Sequence, residues 1–309
     1  SSTGLLYIDN IAKKEIVDKV DSILKNIDVD SIIDSGELKH YLIKEDKSFF
    51  PSVKLTERPD VIVNALLEGK IVVVMDTSPF AIVLPAVLAD FINPISDSYL
   101  VSYNANILKF LRLICFFITI FTPAIYVAMV NYNQETIPSN LLTSFITQKQ
   151  GVPFPAAIEA FFMLFICEML RESDIRFPNN YSSSISILGA LILGDAAVEA
   201  NIVSPITIIV ISLTFISSMI FSNVELSGAI RIWRFICLAI ASFWGLFGVA
   251  IGFIFLIVDL CSYNSFNLDY TFPVAPFDFA YLKDTLIKVK KKNDNKRSKY
   301  LTDNIRKQR

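Results

Sequence analysis

The sequence predicts a membrane protein in which a small cytoplasmic α/β domain precedes a polytopic α-helical membrane domain and a basic cytoplasmic tail. The chain of 309 residues is 53% hydrophobic and has a mean hydropathy of +0.51, more apolar than an ordinary soluble domain. The apolar residues are also concentrated: 1–100 is mixed and charged, 107–130 and 154–260 are dominated by apolar runs, and 283–309 is basic. The predicted domain boundaries are 1–105, 106–262 and 263–309.

The first hundred residues contain the periodicities of a small α/β unit. Apolar residues recur at helical spacing after Ile11, and Pro59 and Gly69 mark the start and the stop of a further helix. β-Branched runs on either side of a turn at 76–79 predict a hairpin. The predicted elements are the strand Leu5–Ile8, a helix from Ile11, helices Ser31–Lys44 and Pro59–Glu68, and strands Lys70–Met75 and Phe80–Leu84. Because a strand follows the first residues directly, we expect this unit to be the end of a larger N-terminal region.

Four to five apolar segments follow, of which one or more can be re-entrant. Lys109 and Arg112 at the start of the first segment place the preceding domain in the cytoplasm by the positive-inside rule. A basic tail favours the same side, and five crossings would separate the two ends of the chain, so one segment must fail to cross. Ile232–Leu260 is long enough to span the bilayer as one tilted helix. The predicted segments are Leu108–Val130, Phe154–Leu170, Ile185–Val203, Pro205–Phe221 and Ile232–Leu260.

Four acidic residues lie inside or beside these apolar runs. Carboxylates are expensive in a membrane, so they face the protein interior or a wet cavity and usually mark a functional path. Glu168 can instead pair with Arg171 three residues later, and Glu172 with Arg176 four residues later. The other three acids have no cationic neighbour in the sequence, which favours a wet or ion-facing role. The four intramembrane acids are Glu159, Glu168, Asp195 and Glu199.

Hydroxyl-bearing residues form a stripe along the segment that begins at Pro205. At 100° per residue they fall on one narrow face of a helix. Such a face can line a pore or hold helices together through interhelical hydrogen bonds, and the sequence leaves both alternatives open. The pore-lining candidates are Ser204, Thr207, Thr214, Ser218 and Ser222.

Glycines at helical spacing predict a close-packing face on the last apolar segment. Gly248 and Gly252 form a GxxxG pattern, and Gly245 lies about one turn earlier. Small residues at this spacing allow two helix backbones to approach each other. The pattern suits an oligomer or a tight bundle.

Several classes of function are excluded or unsupported. His40 is the only histidine and the four cysteines show no CxxC spacing, so we expect neither a metal site nor a cofactor. The glycines form no phosphate-binding loop, and the absence of basic patches interleaved with aromatic residues gives no support to nucleic-acid binding. Intramembrane proteases need histidines within the membrane, so we expect no enzymatic activity.

Five blocks of sequence resemble the spore germination receptor A-subunit (GerA) family, and together the resemblance runs from about Leu5 to Val289. They are ERPDVIVNALLEGKIVVVMDTSPFAIVLP (Glu57–Pro85), GVPFPAAIEAFFMLFICEMLRESDIRFP (Gly151–Pro178), LILGDAAVEANIVSP (Leu191–Pro205), ELSGAIRIWRF (Glu225–Phe235) and LKDTLIKV (Leu282–Val289). The four acids fall in these blocks.

The resemblance implies a multi-pass protein of the spore inner membrane, with its N-terminal domain and tail in the spore core. It implies a nutrient receptor subunit that acts with a B-type transporter-like subunit and a C-type lipoprotein, and that assembles with copies of itself into a ligand-gated ion channel. Acids near the pore would favour cations. The alternative is a secondary transporter for a small nutrient, with helix breaks at Gly194–Asp195 and Ser204–Pro205.

Overall fold

The computed structural model describes residues 2–43, 48–176, 194–266, 268–277, 297 and 300–302. The chain divides into two compact units, one formed by Ser1–Leu113 with Ile257–Arg309 and the other by Ile114–Leu256. Most of the basic tail and the block at 282–289 lie outside the described residues, as does 185–193 of the predicted segment Ile185–Val203. Within the described residues the protein is mostly helical, with a small sheet.

The elements of the first unit are β1 (Thr3–Leu6), α1 (Lys14–Lys25), α2 (Ser35–Leu42), β2 (Lys54–Thr56), α3 (Pro59–Glu68), β3 (Ile71–Met75), β4 (Ala81–Leu84) and α4 (Leu88–Ile92). The four strands form an antiparallel sheet in the order β1-β3-β4-β2. Strand β3 is an apolar run because α1 and α2 cover one of its faces and α3 covers the other.

Local sequence patterns predicted several elements of this unit. Helix α3 begins at Pro59 and ends before Gly69 as predicted, and Gly69 takes the left-handed conformation (φ 93°) that favours glycine. The predicted β3–β4 hairpin is confirmed. Strand β2 was not predicted, because only three residues pair with β4 and so short a run carries no periodicity.

The second unit is helical. Two helices are long and apolar enough to cross a membrane by length and composition, α5 (Ser102–Asn131) and α9 (Val224–Ser262), and α8 (Pro205–Ser218) is apolar but shorter. The four to five expected spans are not confirmed by the described residues, because 177–193 lie outside them. Helix α7 (Ala156–Arg176) is one continuous helix of 21 residues, longer than the predicted Phe154–Leu170. The unpredicted helix α6 (Ser139–Lys149) precedes it.

Helix α9 is a hairpin and not the single tilted span expected for Ile232–Leu260. Its backbone leaves the helical conformation at Gly245 (φ 61°, ψ −141°), so that it has a first arm, 224–244, and a second arm, 246–262. A Cβ on Gly248 would lie 2.5 Å from the carbonyl oxygen of Ile240, and one on Gly252 would lie 3.1 Å from Sγ of Cys237. A straight helix would hold positions 237 and 252 about 22 Å apart, so the arms run antiparallel and in close contact.

The predicted glycine face therefore packs within the chain. Gly248 and Gly252 allow the second arm to approach the first, and Gly245 makes the turn. A Cβ at Gly245 would also lie 2.8 Å from Cβ of Tyr132. The turn is fixed to the end of α5, because the Tyr132 hydroxyl donates to the Ser242 carbonyl (2.5 Å).

Candidate functional site

The Glu159 carboxylate of α7 is buried against the start of α8. Its side chain is 1% exposed, and Oε2 accepts hydrogen bonds from the Ser204 main-chain N–H (2.8 Å), the Ser204 hydroxyl (2.8 Å) and the Thr207 hydroxyl (2.9 Å). The Tyr126 hydroxyl of α5 lies 2.9 Å from Thr207 Oγ1 and extends the network to a third helix. Hydrogen bonds to an ionised acceptor are the strong ones in a protein interior.

Local sequence explains why a carboxylate fits at this position. Ser204 is the residue before α8, and Pro205 begins the helix. A helix N-terminus carries unsatisfied N–H groups and a partial positive charge. Since the Ser204 side chain does not cap its own helix, Glu159 caps it from a neighbouring helix.

The second oxygen of Glu159 is not satisfied in this way. Oε1 accepts no hydrogen bond from any described group, and Lys149 Nζ at the end of α6 lies 3.7 Å away. That separation gives electrostatic attraction without a hydrogen bond. One oxygen of this buried carboxylate therefore has a cation beside it but no hydrogen-bond donor among the described groups.

A second charged cluster lies further along α7. Glu168 Oε2 accepts from Arg231 (3.0 Å) and Glu168 Oε1 accepts from Arg234, both on the first arm of α9. The Arg234 side chain is fully buried, and its Nε and Nη1 donate to no described group. Buried, incompletely bonded guanidinium groups are costly.

The expected pairing of Glu168 with Arg171 is replaced by this cross-helix pairing. Arg171 instead donates to the Ser227 hydroxyl (3.0 Å) and to the Ser218 hydroxyl, and its guanidinium lies 5.2 Å from the centre of the Phe215 ring. The spacing of Glu168 and Arg171 on α7 is compatible with an ion pair within the helix. Glu168 instead faces the first arm of α9, where Arg231 and Arg234 both donate to it. For the expected Glu172–Arg176 pair, the side chain of Arg176 lies outside the described residues.

The hydroxyl stripe faces the interior of the second unit along most of its length. Ser204, Thr207, Thr214 and Ser218 are buried, and Ser222, beyond the end of α8, is exposed. Three of the buried hydroxyls bond to other helices, and Thr214 bonds to the Val210 carbonyl of its own helix.

We call the polar groups between α7 and α8 the polar seam: the buried Glu159, Ser204 and Thr207 at one end, and the half-buried Glu168 and Arg171 with the buried Ser218 at the other. The two glutamates are nine positions apart on α7, which corresponds to about 13 Å along the helix.

Asp195 and Glu199 lie outside the seam. Both are exposed in the short helical stretch 194–199, and no hydrogen bond or ion pair between described groups joins them to Glu159 or Glu168. Within the described ranges no group of acids, histidines and cysteines could hold a metal ion.

Four residues of the site were not predicted as site residues: Tyr126, Lys149, Arg231 and Arg234. Tyr126 and Lys149 reach Glu159 from distant positions on other helices, and no local spacing indicates this. Arg234 carried a usable signal, because a cation within a long apolar run requires a partner, and Glu168 was available.

Charge enclosed by apolar helices is typical of helical membrane proteins. The chain belongs to the family described as Bacillus/Clostridium GerA spore germination protein, whose model matches residues 1–300.

Three curated relatives are similar over nearly the whole chain. Spore germination protein KA of Bacillus subtilis (strain 168) is 38% identical over 95% of this chain. Uncharacterized membrane protein YfkQ of the same strain is 36% identical over 92%, and spore germination protein GerLA of Bacillus cereus is 35% identical over 96%. The aligned parts are 54%, 55% and 60% of those relatives, so the chain spans little more than half of their length. No solved structure matches.

Proposed function

We propose that this chain is part of the A subunit of a nutrient germinant receptor, which triggers spore germination by conducting ions across the spore inner membrane. Membership of a family of spore germination proteins supports the role in germination. The long apolar helices support the membrane location. The proposed assembly is an oligomer of this chain with a B-type transporter-like subunit and a C-type lipoprotein.

The observation that carries the ion-conducting role is the half-satisfied Glu159 carboxylate. A buried carboxylate whose Oε1 accepts no hydrogen bond from a described group is a place where a cation can exchange with protein donors. The Ser204 and Thr207 hydroxyls beside it can accept as well as donate, so they can serve either the carboxylate or a passing cation. We propose that the polar seam opens during gating and that Glu159 sets the preference for cations.

The test replaces Glu159 with Gln and measures ion release after nutrient addition. Glu159→Gln keeps the shape and removes the charge. Since hydrogen bonds to a charged group contribute about 1.5–3 kcal/mol, we expect the rate of ion release to change by about tenfold or more. The matched control is Glu199→Gln on the exposed stretch, which should leave ion release unchanged. Normal release from a Glu159→Gln protein present at normal level in the membrane would contradict the conducting role of this residue.

Opening of the seam has its own test. Thr214→Cys and Ser218→Cys, in a background without the exposed Cys261, should react with water-soluble thiol reagents faster when nutrient is present. Because both positions are buried in the structure, we expect little labelling in its absence. Equal, slow labelling in both conditions would remove the pore-lining assignment.

A secondary transporter for a small nutrient is the second candidate, and the break before α8 favours it. The backbone is not helical between 200 and 204, and the N-terminus of α8 points at a buried carboxylate, as in the broken helices of transporters. Oligomer mass and flux distinguish the two: a ring with passive ion conductance supports the channel, and a monomer with saturable uptake supports the transporter.

A further inference from the structure

The turn of the α9 hairpin carries a group of exposed aromatic side chains. Phe243 is 75% exposed, Trp244 59% and Phe247 70%, and Tyr132 at the end of α5 is 50% exposed. We call these four residues the aromatic tip.

The turn that carries the aromatic tip is held in place by hydrogen bonds between side chains at the end of α5 and main-chain groups of the turn. The Tyr132 hydroxyl bonds to the Ser242 carbonyl, and Asn133 Oδ1 accepts from the Leu246 N–H (3.3 Å). The left-handed conformation of Gly245 closes the turn against Tyr132. The turn that carries the exposed rings is therefore fixed beside the end of α5.

The tip lies where apolar helices meet polar residues. No charged residue occurs between 235 and 258, which includes the turn, nearly half of the first arm and most of the second. On α5 the apolar run ends at Val130, and Asn131, Asn133 and Gln134 follow around Tyr132. Tryptophan and tyrosine at such a boundary are typical of the membrane–water interface, because their rings are apolar and their N–H or O–H groups need a polar partner.

We propose that the aromatic tip lies in the headgroup and carbonyl layer of a phospholipid bilayer and anchors the α9 hairpin at one membrane surface. The inference rests on the proposed membrane embedding of the second unit. With the tip at one surface, both arms cross the apolar layer, and the start of the first arm and the end of the second lie toward the opposite surface.

A second copy of the chain is a weaker occupant for this surface. Four aromatic side chains of roughly 200 Å² each, exposed by about two-thirds, would bury on the order of 500 Å². A stable interface needs about 800 Å² on each partner. The lipid interface needs no such area, because it continues the apolar surface of the arms.

Tryptophan fluorescence provides the test, because the chain has two tryptophans, Trp244 at the tip and the buried Trp233. The full chain is reconstituted in phosphatidylcholine–phosphatidylglycerol vesicles that contain a nitroxide lipid, with the nitroxide either near the headgroup or near the acyl terminus. We expect stronger quenching by the shallow nitroxide. In Trp244→Phe this difference should be lost, since Trp233 is enclosed by protein.

Two other outcomes would overturn the proposal. Stronger quenching by the deep nitroxide would place Trp244 near the bilayer midplane, where a straight α9 would put it. Absence of quenching by both, with the protein floating with the vesicles, would place the tip against another chain or in water. Trp233→Phe, which leaves Trp244 alone, should keep the full shallow quenching and checks the result without altering the tip. Flotation tests membrane embedding separately, and nutrient-triggered ion release tests the proposed function, so failure of the anchor is distinguishable from failure of either.

Discussion

Gly248 packs directly on the main chain of Ile240, where a Cβ would lie 2.5 Å from the carbonyl oxygen. The contact joins the two arms of α9 and leaves no space for any side chain. Together with the turn at Gly245, it allows this apolar stretch to fold back on itself.

Substitution of this glycine should therefore open the hairpin. We expect Gly248→Ala to lower the free energy of unfolding by about 1–3 kcal/mol, since overpacking forces the backbone to move. Gly252→Ala should cost less, because its nearest neighbour is the movable Cys237 side chain. Gly194→Ala is the control, since nothing lies within 4 Å of its Cβ position. Thermal unfolding in detergent ranks the destabilisation caused by the three substitutions. Equal destabilisation by Gly248→Ala and Gly194→Ala would contradict the hairpin.

The hydrogen bonds of the polar seam predict that two threonines of α8 differ in how much stability is lost when each is substituted. Thr207 and Thr214 are both fully buried, but Thr207 donates to Glu159 and contacts Tyr126, whereas Thr214 bonds to a carbonyl of its own helix. Thr207→Val should destabilise by about 1–3 kcal/mol because it removes a donor from a buried carboxylate. Thr214→Val should cost clearly less, since the Val210 carbonyl lies within the helix ladder. Denaturant unfolding measures the loss in free energy of unfolding for each variant. Equal losses for Thr207→Val and Thr214→Val would argue against the hydrogen-bond network around Glu159.

The Glu168–Arg234 pair should couple strongly. Glu168→Met or Arg234→Met alone leaves a charge without its partner in an apolar interior, at a cost of about 3–5 kcal/mol. The double variant removes both charges and should lose much less than the sum, although Arg231 then loses its partner as well. Asp21→Asn in the exposed Lys25–Asp21 pair serves as control and should show no measurable loss. A double-mutant cycle gives the interaction free energy between Glu168 and Arg234. Additive losses in the free energy of unfolding would show that the two side chains do not interact energetically.

Lys54 should make the stability of the chain depend on pH. Its ammonium donates to the Asp90 carbonyl (2.7 Å), and burial lowers the pKa of Lys54 below its ordinary value of 10.5, with Asp90 opposing this and Lys70 adding to it. Between the lowered folded pKa and 10.5 the folded state binds fewer protons than the unfolded state, so the free energy of unfolding rises with pH. Lys54→Met should remove that rise.

Urea unfolding of wild type and Lys54→Met at matched pH values measures this difference. Lys25→Met is the control at an exposed site. Asp21 raises the pKa of Lys25 through a hydrogen bond and its charge, but both side chains are exposed, so Lys25→Met should keep the wild-type pH profile. A pH profile of Lys54→Met parallel to that of wild type would contradict the burial effect.

The elements that the sequence predicted correctly depend on neighbours in the chain. Helix α3 has its proline start and its glycine stop within the same segment, and β3 and β4 are adjacent runs joined by a turn. The α9 hairpin could not be predicted in this way, because a folded-back helix and a straight one have the same apolar composition. The glycines predict a packing face that suits an oligomer or a tight bundle, and in the structure this face packs on the first arm of the same hairpin.

The same division holds for the site. Composition and hydropathy alone identified Glu159 and Glu168 as acids in apolar surroundings, and periodicity alone placed Ser204, Thr207 and Ser218 on one face. The tertiary structure decided their partners, since Glu159 and Ser204 are 45 positions apart and Glu168 and Arg234 are 66 apart. Secondary-structure propensity depends on residues that are close in the chain. The hydrogen-bond and ion-pair partners of a buried charge come from whichever elements pack against it. The sequence therefore determined where charge had to be compensated, and only the fold decided by which groups.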